Sequence, residues 1–169
     1  MKNETMHRAV LLLGSNLGDR FQHLQAAVRA MAKNAGSIAQ VSAVYETQPW
    51  GVTGQPNYLN AALILHTSLQ PQLLLDTLKT IEQQEGRTDR KKYAPRTLDI
   101  DILFYDDLVF NSKELTIPHP KLHLRKFALI PLAEVEARFV HPALKKSIGQ
   151  LLSECTDPLE VCEYAPLNF

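Results

Sequence analysis

What most constrains this chain is the order in which its apolar periods change along the sequence. Ala9-Val10-Leu11-Leu12-Leu13 is an unbroken apolar run closed by Gly14-Ser15-Asn16, the pattern of a buried strand and the turn after it. Phe21, Leu24, Val28 and Met31 then recur at spacings of three and four behind Asp19, which predicts a capped helix that stops at Gly36. From Ile38 to Thr47 the apolar positions Ala39, Val41, Ala43 and Tyr45 alternate with polar ones, predicting a half-buried strand. Gln48 to Asn57 holds two prolines and two glycines and is a loop. Tyr58 to His66 predicts a third strand, and Pro71 opens a second helix with Leu74, Leu78 and Ile81 on its core stripe before Gly86. Leu98 to Tyr105 predicts a fourth strand with Leu98, Ile100, Ile102 and Phe104 on one face. Strand, helix, strand, strand, helix, strand is the split βαβ pattern, so the expected fold is an α+β, ferredoxin-like sandwich, an antiparallel sheet with its helices on one face. Beyond it, the sequence suggests a short strand at Leu108 to Phe110 and helical segments around Lys126 to Ala133 and Ser147 to Glu154.

A chain of 169 residues is the size of one domain, expected to cover 1–169 without a linker. Lys plus Arg and Asp plus Glu are 18 each, so no overall field draws the protein to a nucleic acid or an anionic membrane. Any polyanion must be met by a local patch. Cys155 and Cys162 have neither C-x-x-C spacing nor a histidine pair at zinc spacing, which argues against a disulfide scaffold and a structural zinc. With no apolar run near the ~18 residues of a membrane span and no signal-like N-terminus, a cytoplasmic protein is expected.

The chemistry concentrates between Arg87 and Leu103. Strand alternation puts Asp99 and Asp101 on one face, about 6 to 7 Å apart, while Leu98, Ile100 and Ile102 enter the core. Two such carboxylates suit magnesium, which takes one or two of them and completes its shell with water and phosphate oxygens; the plainer alternative is a solvated sheet face. Arg87, Arg90, Lys91, Lys92 and Arg96 lie just upstream with only Asp89 to offset them. Cations and carboxylates converging on one place are what a metal-bound triphosphate needs, although a basic run is often only a solvated loop. His119, Lys121, His123, Arg125 and Lys126 form a second cationic cluster able to face the same site. Gly14-Ser15-Asn16-Leu17-Gly18 matches neither a P-loop nor a Rossmann turn and reads as a tight turn. Neither cysteine has an activating partner evident in the sequence, and there is no G-x-S-x-G, so no covalent nucleophile stands out.

Lys92-Tyr93-Ala94-Pro95-Arg96-Thr97-Leu98-Asp99-Ile100-Asp101-Ile102-Leu103 resembles the signature of the 6-hydroxymethyl-7,8-dihydropterin pyrophosphokinase family. The resemblance extends to Gly14-Ser15-Asn16-Leu17, Thr47 with Pro49-Trp50-Gly51, Gln55-Pro56-Asn57-Tyr58-Leu59-Asn60, Glu82 with Gly86-Arg87, and Pro118-His119 with Arg125 and Phe127. It implies the same ferredoxin-like fold and the transfer of pyrophosphate from ATP to a pterin alcohol in folate biosynthesis. By matching position it implies that Asp99 and Asp101 hold two magnesium ions and, with Arg96, form the catalytic centre. It implies that Glu82, Arg87, Arg90, Lys92, Arg96, Ile102, His119 and Arg125 contact ATP. Thr47, Trp50, Tyr58, Asn60 and Phe127 would hold the pterin. The loop between Gly86 and Arg96 is one residue shorter than in familiar members, and Gln48, Tyr93 and Pro120 stand where proline, tryptophan and tyrosine are common.

The expected activity is therefore attack of the pterin hydroxymethyl oxygen on the β-phosphorus of ATP, with 6-hydroxymethyl-7,8-dihydropterin and ATP as partners and Mg2+ as cofactor. Catalysis would rest on positioning and charge stabilisation, and the sequence names no general base. Alternatives with the same residues are a magnesium-dependent kinase or nucleotidyl transferase on another small alcohol, or a ferredoxin-like binding module.

Overall fold

In a computed structural model that describes residues 4–88 and 91–169, the periodic segments become β1 (His7–Ser15), α1 (Arg20–Asn34), β2 (Ser37–Val41), β3 (Val44–Thr47), β4 (Tyr58–Thr67), α2 (Pro71–Gln84) and β5 (Asp99–Tyr105). The Asp19 carboxylate accepts the Gln22 N–H and caps α1, and Pro71 starts α2 without an N–H to waste. β5, β1 and β4 lie side by side, and β2 and β3 both pair with β4, antiparallel in each case. With β2 and β3 counted as one interrupted strand, this is the ferredoxin-like order. No helix among the described residues is long and apolar enough to cross a membrane.

Alternation sends the side chains of each strand to two opposite cores. Leu11 and Leu13 of β1, Leu63 and Leu65 of β4 and Ile100 and Ile102 of β5 pack with Leu24, Val28 and Met31 of α1 and Leu74, Leu78 and Ile81 of α2. Val10 and Leu12, Ala62 and Ile64, and Leu103 and Phe104 instead meet Leu129 and Leu132 of α3 (Lys126–Glu136) and Ile148 and Leu151 of α4 (Ile148–Glu154). Each large side chain buried this way contributes roughly 1.5–3 kcal/mol. Helices therefore cover both faces of the sheet. The split βαβ unit accounts for one layer, and the second comes from the segment after it.

Two strands depart from simple alternation, and hydrogen bonding explains one of them directly. Between Ile38 and Thr47 the strand bulges at Ile38/Gln40 and breaks after Val41, leaving Ala39 exposed and burying Ser42, Val44 and Thr47. Ser42 exchanges backbone and side-chain hydrogen bonds with Ala62, 2.8 Å from its own N–H and 2.9 Å to its Oγ, while Glu134 of α3 accepts the Ala43 N–H. These partners outweigh the weak pull of Ala39 and Ala43 toward the core. In β5 the register against β1 slips so that Leu11 faces Ile102 but Val10 faces Phe104. Phe104 is thereby turned to the α3/α4 side, away from Ile100 and Ile102.

The later elements also differ from expectation. β6 (Phe110–Asn111) pairs with β7 (Thr116–Ile117) and shares only Phe110 with the short strand predicted at Leu108 to Phe110. Ser147 caps α4 through a reciprocal box with Gln150. A final strand, β8 (Val161–Ala165), has no counterpart in the periodicity reading and pairs with β3 at the sheet edge.

Candidate active site

The α3/α4 core does not reach the end of the sheet where β1 finishes and β5 begins, and a cavity of about 360 Å³ opens there. Asp99, Gly14, Asn60 and Tyr45 face one another in a row across β5, β1, β4 and β3. Gly14 leaves the gap in this row, because a Cβ there would come within 2.7 Å of Asn60 Nδ2. Asn60 Nδ2 is spent on the Leu13 carbonyl at 3.0 Å, which leaves its buried Oδ1 without a protein partner among the described residues. Buried polar atoms without a protein partner among the described residues include Asn60 Oδ1, Thr47 Oγ1, Arg96 Nε and Arg125 Nε. Each costs roughly 1–3 kcal/mol while unpaired, and because Asn60, Arg96 and Arg125 line the one opening, theirs point to a polar ligand that completes them.

The next row holds Asp101 opposite Leu12. Burial and then the nearby Asp99 carboxylate push the Asp101 acid upward, the response of two carboxylates held close in a poorly hydrated place. Such a pair favours a cation between or beside its members. Among the described residues no three acidic, histidine or cysteine side chains form a metal cage. Two carboxylates alone fit an octahedral magnesium that arrives with phosphate oxygens and water to fill its shell.

Asp99 is also the junction of a charge network. Its Oδ1 meets Arg87 Nη1 at 2.9 Å and Arg96 Nη1 at 3.0 Å, and the same Arg87 nitrogen meets Glu82 Oε2 at 2.6 Å. Glu82 is buried on α2 and accepts the Ile100 N–H through Oε1 at 2.8 Å, which ties the helix to the acidic strand. Burial, and next the charge of Asp99, raise its acid to about 7. On the opposite wall burial and the Arg125 charge lower His119 to about 4, so its ring is neutral at pH 7. Its Nδ1 accepts the Lys121 N–H at 3.2 Å, so the ring proton sits on Nε2 as a donor.

The remaining wall is aromatic and cationic. The Arg125 guanidinium lies 4.9 Å from the Trp50 ring centre and 5.7 Å from that of Phe127, and Lys121 Nζ lies 5.8 Å from Trp50. Tyr58, Lys92 and Tyr93 complete the lining with Gln48 and Pro120. A flat ring can stack on these faces while Asn60 reads its edge. The chemistry on offer is therefore a stacked heterocycle at one end and, at the other, a polyphosphate met by guanidinium forks and a carboxylate-held metal.

Residues 10–137 match the 7,8-dihydro-6-hydroxymethylpterin-pyrophosphokinase (HPPK) family. The 2-amino-4-hydroxy-6-hydroxymethyldihydropteridine pyrophosphokinase of Aquifex aeolicus is 41% identical over 151 residues, 89% of this chain and 94% of the relative. That of Haemophilus influenzae is 38% identical over 153 residues, 90% of this chain and 95% of the relative. The chain belongs to the HPPK family. Plasmodium falciparum HPPK-DHPS with pteroate shares the fold, with a TM-score of 0.75 at 18% identity; the match covers 89% of this chain and 42% of that longer one.

As an HPPK the chain is a pyrophosphokinase, and most residues singled out from its sequence stand in the one cleft. Trp50, Tyr58, Asn60, Lys92, Arg96, Asp99, Asp101, His119, Arg125 and Phe127 all line it. Glu82 and Arg87 stand one layer behind, joined to it through Asp99. Thr47 is buried at the end of β3, opposite Tyr58. The Ile102 side chain lies in the α1/α2 core, on the other face from Asp101. Arg90 falls outside the described residues. Periodicity gave no hint of Asn16, which reads as part of a turn. Its backbone N–H donates to Arg96 O at 3.0 Å, its Oδ1 accepts the Arg96 N–H at 2.8 Å, and its Nδ2 donates to Gln55 Oε1 and Pro56 O, each at 3.2 Å. Gln55 in turn donates to Tyr93 O. Asn16 thus ties the loop carrying Trp50 to the loop carrying Lys92 and Tyr93. Its place in Gly14-Ser15-Asn16-Leu17, part of the resemblance to the family, was the signal the sequence held for it.

Proposed function

We propose that this HPPK acts as a single domain over residues 1–169 and transfers pyrophosphate from ATP to 6-hydroxymethyl-7,8-dihydropterin with magnesium bound at Asp99 and Asp101. The hydroxymethyl oxygen forms a bond to the β-phosphorus, the bond from that phosphorus to the α,β-bridging oxygen breaks, and AMP leaves with that oxygen. The hydroxyl proton is released. The observation that carries this is the row Asp99–Gly14–Asn60: an acid for the phosphate end and an unpaired amide oxygen for the pterin edge share one face, with only a glycine between them.

Tyr58, Phe127 and Trp50 stack the pterin and Asn60 Oδ1 accepts from its edge, which aims the alcohol at the phosphate chain. Arg96, Arg125 and Lys92 meet phosphate oxygens, and neutral His119 donates to one through Nε2. Magnesium bound at the two aspartates supplies charge neutralisation to the phosphate oxygens. Arg87, itself held by Glu82, holds Asp99 in place from behind, and Thr47 serves the pterin end from beside Tyr58.

Product analysis tests this. With ATP, magnesium and the pterin, AMP should appear in step with a pterin diphosphate. ADP would mean attack at the γ-phosphorus and an ordinary kinase. Pyrophosphate with an adenylated pterin would mean a nucleotidyl transferase, and no pterin-dependent turnover by the folded protein would leave a binding module.

A further inference from the structure

The family match ends at residue 137, yet the chain after it returns to the cleft. Asp157 Oδ2 accepts the Lys126 N–H at 3.1 Å and Oδ1 accepts the Leu159 N–H at 3.0 Å. Lys126 is the first residue of α3, and Arg125, at the cap position, supplies no side-chain cap of its own. Asp157 therefore caps from a distance the helix start that presents Arg125 and Phe127, where a carboxylate is favoured by both the free N–H and the helix dipole. Four residues on, Val161 of β8 pairs with Thr47, the last residue before the loop that carries Trp50. The far end of that loop is held as well: Arg20 donates to Asn57 O at 2.9 Å and lies 6.0 Å from the Tyr164 ring centre. Trp50 lines a second cavity, of about 480 Å³, whose other wall includes Cys155, Asp157 and Pro158. Leu167, buried in the α1/α2 core, anchors the end of the segment.

We propose that residues 155–165 are a strap that fixes the stacking wall of the cleft, with Asp157 as the positioning residue that holds Arg125 and Phe127 against Trp50. The strap reaches both members of that wall, pairing through β8 with β3 at the base of the Trp50 loop and holding the helix start through Asp157. It works without contacting the reacting atoms.

Trp50 is the only tryptophan in the sequence, so its emission reports the wall directly. Asp157→Ala should raise KM for the pterin roughly tenfold, equivalent to about 1.4 kcal/mol, lower kcat much less, and shift Trp50 emission to the red. Asp157→Asn, which keeps one acceptor oxygen, should recover a large part of both changes. Glu160→Gln removes an exposed charge from the same segment, away from both cavities, and should move neither. Unchanged KM and emission in Asp157→Ala, even with a lower Tm, would reduce Asp157 to a structural cap and overturn the proposal. Equal changes in Glu160→Gln would do the same, by showing general loosening of the tail. If Asp157→Ala does not fold, Tyr164→Ala decides, since its exposed ring is removable: a red shift with raised pterin KM supports the strap, and wild-type values overturn it. Because the assignment rests on the pyrophosphokinase reading, wild-type protein is assayed first. Failure to make AMP and pterin diphosphate would defeat that reading alone, and Trp50 emission would still decide the strap.

Discussion

On the sheet face under α1 and α2, β1, β4 and β5 present Leu11 and Leu13, Leu59 to Leu65 at alternate positions, and Ile100 and Ile102, apolar from end to end. On the other face the same strands are apolar at one end of the sheet, with Val10, Leu12, Ala62 and Ile64, and carry Gly14, Tyr58, Asn60, Asp99 and Asp101 at the other. The strands and their alternation are common to both faces. What differs is helix coverage: α1 and α2 fill their side, while α3 and α4 stop short and leave a cleft for polar groups. A site can thus be built on a stable sheet at little cost in packing, because the opposite face supplies the core.

The largest test of this contrast sets Asp99 and Asp101 against Leu63. Asp99→Ala or Asp101→Ala should lower kcat by about 10²–10³-fold, the scale for removing one group that stabilises transition-state charge, with Tm of the metal-free Asp101→Ala protein unchanged or higher because two crowded carboxylates become one. Leu63→Ala, in the filled face, should do the reverse, costing about 2–5 kcal/mol in urea unfolding with kcat of the folded fraction preserved. Near-normal magnesium-dependent turnover in the double aspartate variant would remove the functional meaning of the polar half.

A smaller effect is expected from Gly14→Ala. The added methyl meets Asn60 Nδ2 and displaces it from the Leu13 carbonyl. Calorimetry should find pterin binding weakened by about tenfold, and stability lowered by about 1 kcal/mol, the scale of one hydrogen bond. Unaltered pterin affinity would mean that Asn60 does not read the ring.

The mildest test is the pH response of His119. Arg125 and Lys121 oppose its protonation, Asp99 favours it, and burial outweighs all three. Its folded value of about 4 lies below the 6.5 of an unhindered ring, so between these values the unfolded chain binds the extra proton. Its contribution to stability is whole above pH 6.5 and is lost as pH falls toward 4. Proton NMR should show the ring titrating near the lower value. A midpoint near 6.5 would place the ring in solvent and end its role as an Nε2 donor on the cleft wall.

Much of this was legible in the sequence. The order of periods gave the ferredoxin-like sheet, and strict alternation through Asp99, Ile100, Asp101 and Ile102 put the acids on one face. The resemblance to the HPPK signature brought Trp50, Asn60, His119 and Phe127 to the same cleft although up to 77 residues separate them. The turn of Phe104 away from Ile102, the break at Ser42, the hub at Asn16 and the strap from Asp157 were not legible.

Sequence alone determined what depends on near neighbours: which residues alternate, where a helix is capped, which side of β5 carries charge. Tertiary structure decided what depends on partners far along the chain. The slip at Phe104 is defined only against β1, Ser42 is buried because Ala62 meets its hydroxyl, and Asp157 caps a helix 31 residues before it. Periodicity is a local consequence of backbone geometry, whereas a hydrogen bond satisfied from a distant strand or tail leaves no period in the sequence.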